Sequence, residues 1–147
     1  MLTVVNRLGY EDYASLRASV GWAPLSREQA QHALQADLHH VAAVENGRVV
    51  GMGRLVGDGL YHILADLVVR PEYQGRGIGR DLVRRLVAYV QERTPPAGRA
   101  SLQLIAEPGK EAFYEGLGFR RLPHAFCGAG MRLVLHGGEP SGGTEPV

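Results

Sequence analysis

Cysteine and lysine are almost absent from this sequence, and their scarcity excludes several kinds of site. The one cysteine, Cys127, cannot form an internal disulfide or a multi-cysteine metal site. The one lysine, Lys110, lies far from the glycines at 75–79, so these glycines do not form a Walker-type nucleotide loop. The histidine pair at 39–40 lacks a convincing set of further ligands, and we predict no bound metal.

Strong net charge and long apolar runs are also missing. The formal net charge of +1 is too balanced for a protein that coats nucleic acid, and no segment approaches the roughly 20 apolar residues that span a bilayer. Residues 1–7 lack the basic and apolar pattern of a secretory signal. These features predict a cytoplasmic protein that binds neither nucleic acid nor membrane. Residues 70–121 nevertheless carry 10 basic and 6 acidic side chains, which indicates a local anion-binding region.

The length and the apolar content predict a folded protein. The chain has 147 residues, of which 45% are hydrophobic, a fraction typical of folded proteins. Residues 137–147 have very little apolar content. We therefore predict one domain over residues 1–136 and a flexible tail over residues 137–147.

Hydrophobic periodicity alternates between helices and strands along this domain. Helical spacing predicts helices over 10–20 and 78–92, and Ser26 with Gln29 forms a capping box before another helix. Asn46-Gly47 and Asp58-Gly59 are turn pairs that can adopt the positive φ of type I′ hairpins. The strands predicted around these turns, at residues 41–45, 48–56 and 60–69, should form an antiparallel meander. Later segments are predicted as a strand over 101–106, a helix over 107–115, and strands over 119–122 and 131–136. This order indicates a mixed α/β sheet.

The most informative segment connects the last strand of the meander to the helix at 78–92. Residues 74–80 read Gln-Gly-Arg-Gly-Ile-Gly-Arg, and no Ser, Thr, Asp or Asn caps the helix that follows. The glycine spacing does not match the dinucleotide fingerprint. Glycines allow another group to approach the backbone closely, and uncapped amides beside Arg76 and Arg80 favour a phosphate-like anion. The alternative is a tight turn that binds no ligand.

Two segments carry a resemblance to a known family. Residues 74–79 resemble the Gln/Arg-x-x-Gly-x-Gly/Ala signature of the Gcn5-related N-acetyltransferases, the GNAT family. Residues 112–119, Ala-Phe-Tyr-Glu-Gly-Leu-Gly-Phe, are similar to its Phe-Tyr-Glu-Lys-x-Gly-Phe box, with Gly116 in place of lysine. Residues 107–109 occupy the neighbourhood where many members have a cofactor-binding asparagine. The resemblance implies a single-domain, mixed and mostly antiparallel sheet of six to seven strands, with about four helices and a splayed V between the fourth and fifth strands.

The resemblance also implies a reaction. GNAT enzymes transfer an acetyl group from acetyl-CoA directly to a primary amine while both are bound. The loop amides hold the pyrophosphate, and the preceding strand lines the pantetheine arm. The residues that occupy these positions are Leu67, Val68, Val69, Gln74, Gly75, Arg76, Gly77, Ile78, Gly79 and Arg80. We therefore expect acetyl-CoA as cosubstrate and a small-molecule amine as acceptor. A protein amine as acceptor, and a catalytically silent acyl-CoA sensor, remain alternatives.

Catalysis requires a proton donor for the leaving thiolate and a proton acceptor for the amine. The tyrosine of the family box commonly acts as general acid, and here it is Tyr114. Asp66 interrupts the apolar run over 63–69, so it is either the base or a structural acid satisfied by partners. His62 and Glu45 are weaker candidates for the base.

The acceptor pocket is expected near the connection between the first two helices. Trp22 lies in this connection and is either a wall of the pocket or part of the core. Arg54 either binds an acidic substrate or pairs with Asp66, and His62 is a further candidate for substrate binding. An edge strand near the C-terminus leaves homodimerisation open.

Overall fold

The computed structural model describes residues 1–138, so most of the predicted tail lies outside the described residues. The chain divides after Ile105 into two compact units. The domain boundary at residue 136 stays a prediction. No helix within residues 1–138 combines the length and the apolar character needed to cross a membrane.

The first unit is built on a mixed sheet whose strands follow one another in chain order. The strands are β1 (Leu2–Val5), β2 (His39–Glu45), β3 (Arg48–Gly57), β4 (Tyr61–Val69) and β5 (Ser101–Gln103). The pairs from β1 to β4 are antiparallel, and β5 joins β4 in parallel. This arrangement confirms the predicted meander and the mixed, mostly antiparallel class. The sheet has five strands in the described residues, fewer than the six to seven expected.

Three α-helices belong to the first unit and one to the second. They are α1 (Tyr10–Ser19), α2 (Arg27–Ala36), α3 (Ile78–Arg93) and, in the second unit, α4 (Glu111–Glu115), and a short 3-10 helix covers Pro71–Tyr73. The capping box before α2 is confirmed, since the Gln29 N–H donates to Ser26 Oγ at 3.1 Å. The helix ends before Leu38, whose N–H instead donates to the Leu55 carbonyl in β3.

The two hairpin turns differ. Asn46 and Gly47 have φ of 51° and 76°, which confirms the type I′ prediction for the β2–β3 turn. In the β3–β4 turn only Gly59 has positive φ, at 97°, so the type I′ prediction is wrong there. The Asp58 carboxylate accepts from the Leu60 and Tyr61 amides at 2.9 and 2.8 Å. Because the Asp58 side chain accepts these two hydrogen bonds, the turn adopts a conformation other than type I′.

Glycines in β3 allow α3 to pack directly on the sheet. A Cβ at Gly53 would lie 3.0 Å from Leu86 Cδ1, and one at Gly51 would lie 3.2 Å from Leu82 Cδ1. Leu82 and Leu86 belong to the buried face of α3. The helix therefore lies close to β3 because neither glycine has a side chain.

The β4–β5 pairing is confined to one end of β4. It includes Tyr61, His62 and Ile63, while β4 continues to Val69. Within residues 1–138 no strand pairs with the rest of β4 on this side. This is the opening expected between the fourth and fifth strands.

The second unit has less regular structure than the sequence predicts. Segments 119–122 and 131–136 form no strand, because a strand requires a neighbour that shares its backbone hydrogen bonds. Met131, Leu133 and Leu135 are 95%, 82% and 82% exposed, so their alternation does not pack on a sheet. The prediction of strands there is wrong for the described residues, and the expectation of a homodimer loses the edge strand on which it rested.

Two further boundaries are shorter than predicted. The strand β5 ends at Gln103 rather than at residue 106. The helix α4 begins at Glu111 rather than at residue 107, because Gly109 has a left-handed φ of 87° and the Lys110 N–H closes a turn onto the Glu107 carbonyl.

We expect Gly53→Val to destabilise the protein by about 1–3 kcal/mol, since the added side chain must displace Leu86. Urea denaturation measures the loss. Gly128→Val is the matched control, because no atom lies within 4 Å of a Cβ at Gly128. Equal midpoints for the two variants would contradict the close packing of α3 on β3.

Candidate functional site

The loop between β4 and α3 takes its shape from two left-handed glycines. Gly75 and Gly77 have φ of 80° and 81°, a conformation that side chains disfavour. No atom lies within 4 Å of a Cβ built on either glycine, so the backbone is open there. The Gln74 side chain donates to the Val69 carbonyl at 2.9 Å and fixes the loop to the end of β4.

The backbone amides of this loop are unoccupied by the protein. Six consecutive N–H groups, from residue 75 to residue 80, have no acceptor in the part of the chain that the structure describes. The first α3 bond is donated by the Asp81 N–H to the Gly77 carbonyl at 3.1 Å. Unpaired amides at a helix N-terminus carry partial positive charge and bind anions. This donor set fits the diphosphate of acetyl-CoA.

The charged side chains around the loop are partly engaged already. Arg76 donates to Glu45 at 2.8 and 3.2 Å, and its guanidinium lies 5.4 Å from the Tyr73 ring centroid. The hydrogen bond from Arg76 lowers the pKa of Glu45. Arg80 has no hydrogen-bond or ion-pair partner within residues 1–138. Of the two arginines predicted to favour an anion, only Arg80 is uncommitted.

A buried charge network lies in the same unit, with Arg54 at its centre. Its Nε and Nη2 donate to the Asp37 carboxylate at 2.8–3.1 Å, and Nη1 donates to Asp66 at 2.8 Å. Asp66 also accepts from the Tyr13 hydroxyl and from Arg17 Nη1, the latter at 3.2 Å. Two arginines and two aspartates balance in charge, although the buried Nε of Arg17 has no hydrogen-bond partner within residues 1–138.

The network alters the pKa values of two of its members, Arg54 and Tyr13. Burial alone would lower the pKa of Arg54, but its hydrogen bonds to Asp37 and Asp66 raise it above the usual range. Burial, followed by the hydrogen bond to Asp66, raises the pKa of Tyr13 to about 12. The phenol and the guanidinium therefore remain protonated at neutral pH.

Asp66 and Arg54, for each of which the sequence left two alternatives, lie in contact with each other. Asp66 has the geometry of the satisfied structural acid, because three side chains donate to its carboxylate. Arg54 pairs with Asp66, as the second of its two alternatives anticipated, and it is buried. Its guanidinium is therefore not available to an acidic substrate in this arrangement.

The other candidates in the first unit have partners of their own. His62 is 3% exposed, and its Nδ1 lies 3.1 Å from the Ser101 carbonyl, so the ring connects β4 to β5. Glu45 is paired with Arg76. Trp22 is partly buried against the core, and the Arg17 guanidinium lies 5.2 Å from its ring. Both His62 and Glu45 are thus engaged in contacts within the protein, and their roles stay predictions.

The histidine pair is committed to structural contacts. His39 stacks on Tyr89 with ring centroids 4.0 Å apart, and His40 Nδ1 lies 3.1 Å from Asp37 Oδ2. Residues 1–138 contain no group of three or more His, Cys, Asp or Glu side chains that could hold a metal ion.

Tyr114 lies in the second unit, on α4. It is partly buried and makes edge-to-face contacts with Phe113 and Phe119, at centroid distances of 5.0 and 5.9 Å. Burial and the nearby charge of Glu107 raise the pKa of the Tyr114 phenol. The phenol therefore keeps its proton at neutral pH and can donate it.

Sequence reasoning did not identify the partners in these networks. Tyr13 and Arg17 lie in the segment predicted as the first helix, and Asp37 lies in the connection after α2. Arg54 and Asp66 stand in segments predicted to be neighbouring strands, which is the one signal that links them. The partners from α1 become apparent only when the helix packs on the sheet.

Comparison with known proteins identifies the family. Residues 12–135 match the acetyltransferase (GNAT) domain family. This chain belongs to the GNAT acetyltransferase family.

Individual relatives agree with this assignment. The chain is 35% identical over 116 residues to chloroplastic serotonin N-acetyltransferase 2 of Oryza sativa subsp. japonica, covering 76% of this chain and 56% of that protein. It is 30% identical over 129 residues to histone acetyltransferase TAP1 of Glycine max, covering 80% and 54%. The chain thus spans little more than half the length of these relatives. Because the rice relative is chloroplastic by name, cytoplasmic location stays a prediction.

A solved structure has the same fold. A probable acetyltransferase of unknown function from Staphylococcus aureus is 28% identical, with a TM-score of 0.80 over 92% of this chain and 100% of that chain. The mixed, mostly antiparallel sheet is therefore the GNAT fold.

We expect Asp37→Ala to destabilise the protein by about 3 kcal/mol, because the variant leaves buried Arg54 without its bidentate partner. Chemical denaturation measures the change. The control is Asp81→Ala, which removes an exposed pair with Arg85 and should cost less than about 1 kcal/mol. Similar losses in both variants would contradict a stabilising role for the buried pair.

Proposed function

We propose that this protein is an acetyl-CoA-dependent N-acetyltransferase that acetylates the primary amine of a small molecule. The observation that carries the proposal is the run of six unpaired amides over residues 75–80. One such amide contributes little, since helix-terminus interactions are worth about 0.3–2 kcal/mol each. Several together provide the donors that a diphosphate needs.

The open edge of β4 suits the rest of the carrier. From Leu64 to Val69 this edge has no paired strand within residues 1–138. Apart from the Val69 carbonyl, which accepts from Gln74, the unpaired backbone groups of this edge are available to a ligand with amide groups, in the way that an added strand binds a sheet edge. The pantetheine arm contains two amides, and Leu67, Val68 and Val69 are the residues proposed to bind it.

The thioester of acetyl-CoA supplies the activated acetyl group. The nitrogen of the neutral amine bonds to the acetyl carbon and gives up one proton as the carbon–sulfur bond breaks, and the departing sulfur takes up one proton, so that the products are an amide and a free thiol. Tyr114 is proposed as the donor, because its raised pKa keeps the phenol protonated. Holding amine and thioester together removes much of the entropic barrier to a bimolecular reaction.

The amine must lose a proton before it attacks. An alkylammonium has a pKa near 10.4, so deprotonation at pH 7 costs roughly 4–5 kcal/mol. The Asp66 carboxylate already accepts hydrogen bonds from Tyr13, Arg17 and Arg54, so it is not free to take the proton from the amine. We therefore propose that the amine enters in its neutral form, with its proton released to water.

The acceptor class follows from the relatives and from one side chain. The rice relative is named for serotonin, an arylalkylamine, and an aromatic wall at Trp22 would suit such an amine. The soybean relative is named for histones, so a protein lysine is the second candidate. An amine panel that includes serotonin and a histone peptide separates the two.

The loop assignment is tested by Gly77→Glu, which places a bulky anion where the diphosphate is proposed to bind. Saturating acetyl-CoA should raise the melting temperature of the native protein and leave that of the variant unchanged. Gly59→Glu is the control, since Gly59 has the same left-handed conformation in open space but lies in the β3–β4 turn. A thermal shift that survives in Gly77→Glu, or none in the native protein, would contradict the proposed site.

The role of the phenol is tested by Tyr114→Phe. Release of free thiol during turnover should fall by about 10²-fold or more, the range typical of a lost general acid, with little change in acetyl-CoA affinity. Tyr61→Phe is the control, because Tyr61 is exposed and has no proposed role. Equal turnover in Tyr114→Phe would remove the assignment. Binding of acetyl-CoA without thiol release for any amine would favour the sensor alternative.

A further inference from the structure

The strand β4 contains one residue more than its partner at a defined point. Met52 pairs with Val68 and Arg54 pairs with Ala65, so two steps along β3 match three steps along β4. This extra residue is a β-bulge, and it lies at Asp66–Leu67. Bulges bend a strand and change the direction of the residues that follow.

Asp66 has an unusual backbone conformation at this bulge. Its φ of 51° is left-handed, although Asp66 is not a glycine. Residues in this region are disfavoured and persist where their surroundings fix them. Aspartate tolerates the left-handed conformation better than most residues do. The bulge explains why the backbone adopts this conformation at Asp66.

The surroundings that fix Asp66 come from two elements. Tyr13 and Arg17 donate to its carboxylate from α1, and Arg54 donates from β3. Arg54 is itself held by Asp37. Side chains from α1 and from β3 therefore hold the carboxylate of a residue whose backbone is in a disfavoured conformation.

We infer that Asp66 is a positioning residue, which holds the β4 bulge and thereby sets the register of the backbone groups of Leu67–Val69 toward the acyl carrier. The inference rests on the proposed function, because those groups are the ones proposed to bind the pantetheine arm. A slip of one residue would turn each of them to the opposite side. Tyr13, Arg17 and Arg54 act through Asp66 and need not touch the substrates.

Three substitutions at Asp66 separate a positioning role from that of a base. Asp66→Asn keeps the tolerance for positive φ and one acceptor oxygen, which can serve Tyr13 and Arg54, the two donors to Oδ2, while its NH2 group replaces the oxygen that accepts from Arg17. Asp66→Gly keeps the backbone conformation and removes the carboxylate. Asp66→Ala loses both. If Asp66 were the base, catalytic activity would fall equally in all three variants, because none of them has a carboxylate at this position.

The first measurement needs no ligand. Hydrogen exchange at the Leu67–Val69 amides should be about tenfold faster in Asp66→Ala than in the native protein, intermediate in Asp66→Gly and near native in Asp66→Asn. Tyr13→Phe, which removes one donor, should give a smaller increase and serves if Asp66→Ala does not fold. Native exchange rates in both Asp66→Ala and Tyr13→Phe would overturn the inference.

The second measurement is kinetic. The kcat/KM for acetyl-CoA should fall about tenfold in Asp66→Ala and stay within about threefold of native in Asp66→Asn, with an unchanged pH profile in both. If kcat/KM fell equally in both variants and the acidic limb of the pH profile disappeared, the result would identify Asp66 as a base and overturn the inference. Failure of the native protein to bind acetyl-CoA would overturn the proposed function itself. That result is distinguishable, because the exchange rates are measured without ligand.

Discussion

The buried pairing of Arg54 with Asp37 and Asp66 is the interaction on which the rest of this structure depends. Arg54 lies in β3, Asp66 in β4 and Asp37 just before β2, so one guanidinium ties three neighbouring parts of the sheet. Through Asp66 the network reaches α1, from which Tyr13 and Arg17 donate. A buried charge is tolerated only when it is fully paired. The need to pair these charges therefore constrains β3, β4, α1 and the segment before β2 together.

Side chains fix the conformation of β4, whereas backbone groups form the candidate anion site in the loop that follows it. In the middle of β4, side chains hold a bulge at Asp66. Beyond Val69 the chain enters a loop that the Gln74 side chain fixes to β4, and the backbone amides from residue 75 to residue 80 have no acceptor within residues 1–138. The left-handed glycines Gly75 and Gly77 make this opening by shaping the loop without filling it. A rigid strand that leads into an open anion site is suited to holding an extended carrier.

Much of the first unit could be predicted from local signals. The meander, α1, α3 and the cap of α2 follow from periodicity and turn residues, which act over a few positions in sequence. The second unit could not be predicted in this way. The alternation over residues 131–136 is typical of a strand, but strand formation depends on a neighbour that local sequence does not specify. The β3–β4 turn differs because the Asp58 side chain competes with the backbone for its amides.

The sequence by itself determined the family, the strand–loop–helix order and the absence of a side-chain cap at α3, since each depends on residues close together in the chain. Only the tertiary structure decided which partners the buried charged residues have. The sequence around Asp66 is the same whether the residue is a base or a structural acid. Its three partners, Arg54, Arg17 and Tyr13, lie 12, 49 and 53 positions away from it along the chain. The protonation and the availability of a buried group depend on what packs around it, and packing between distant segments is not encoded in local spacing.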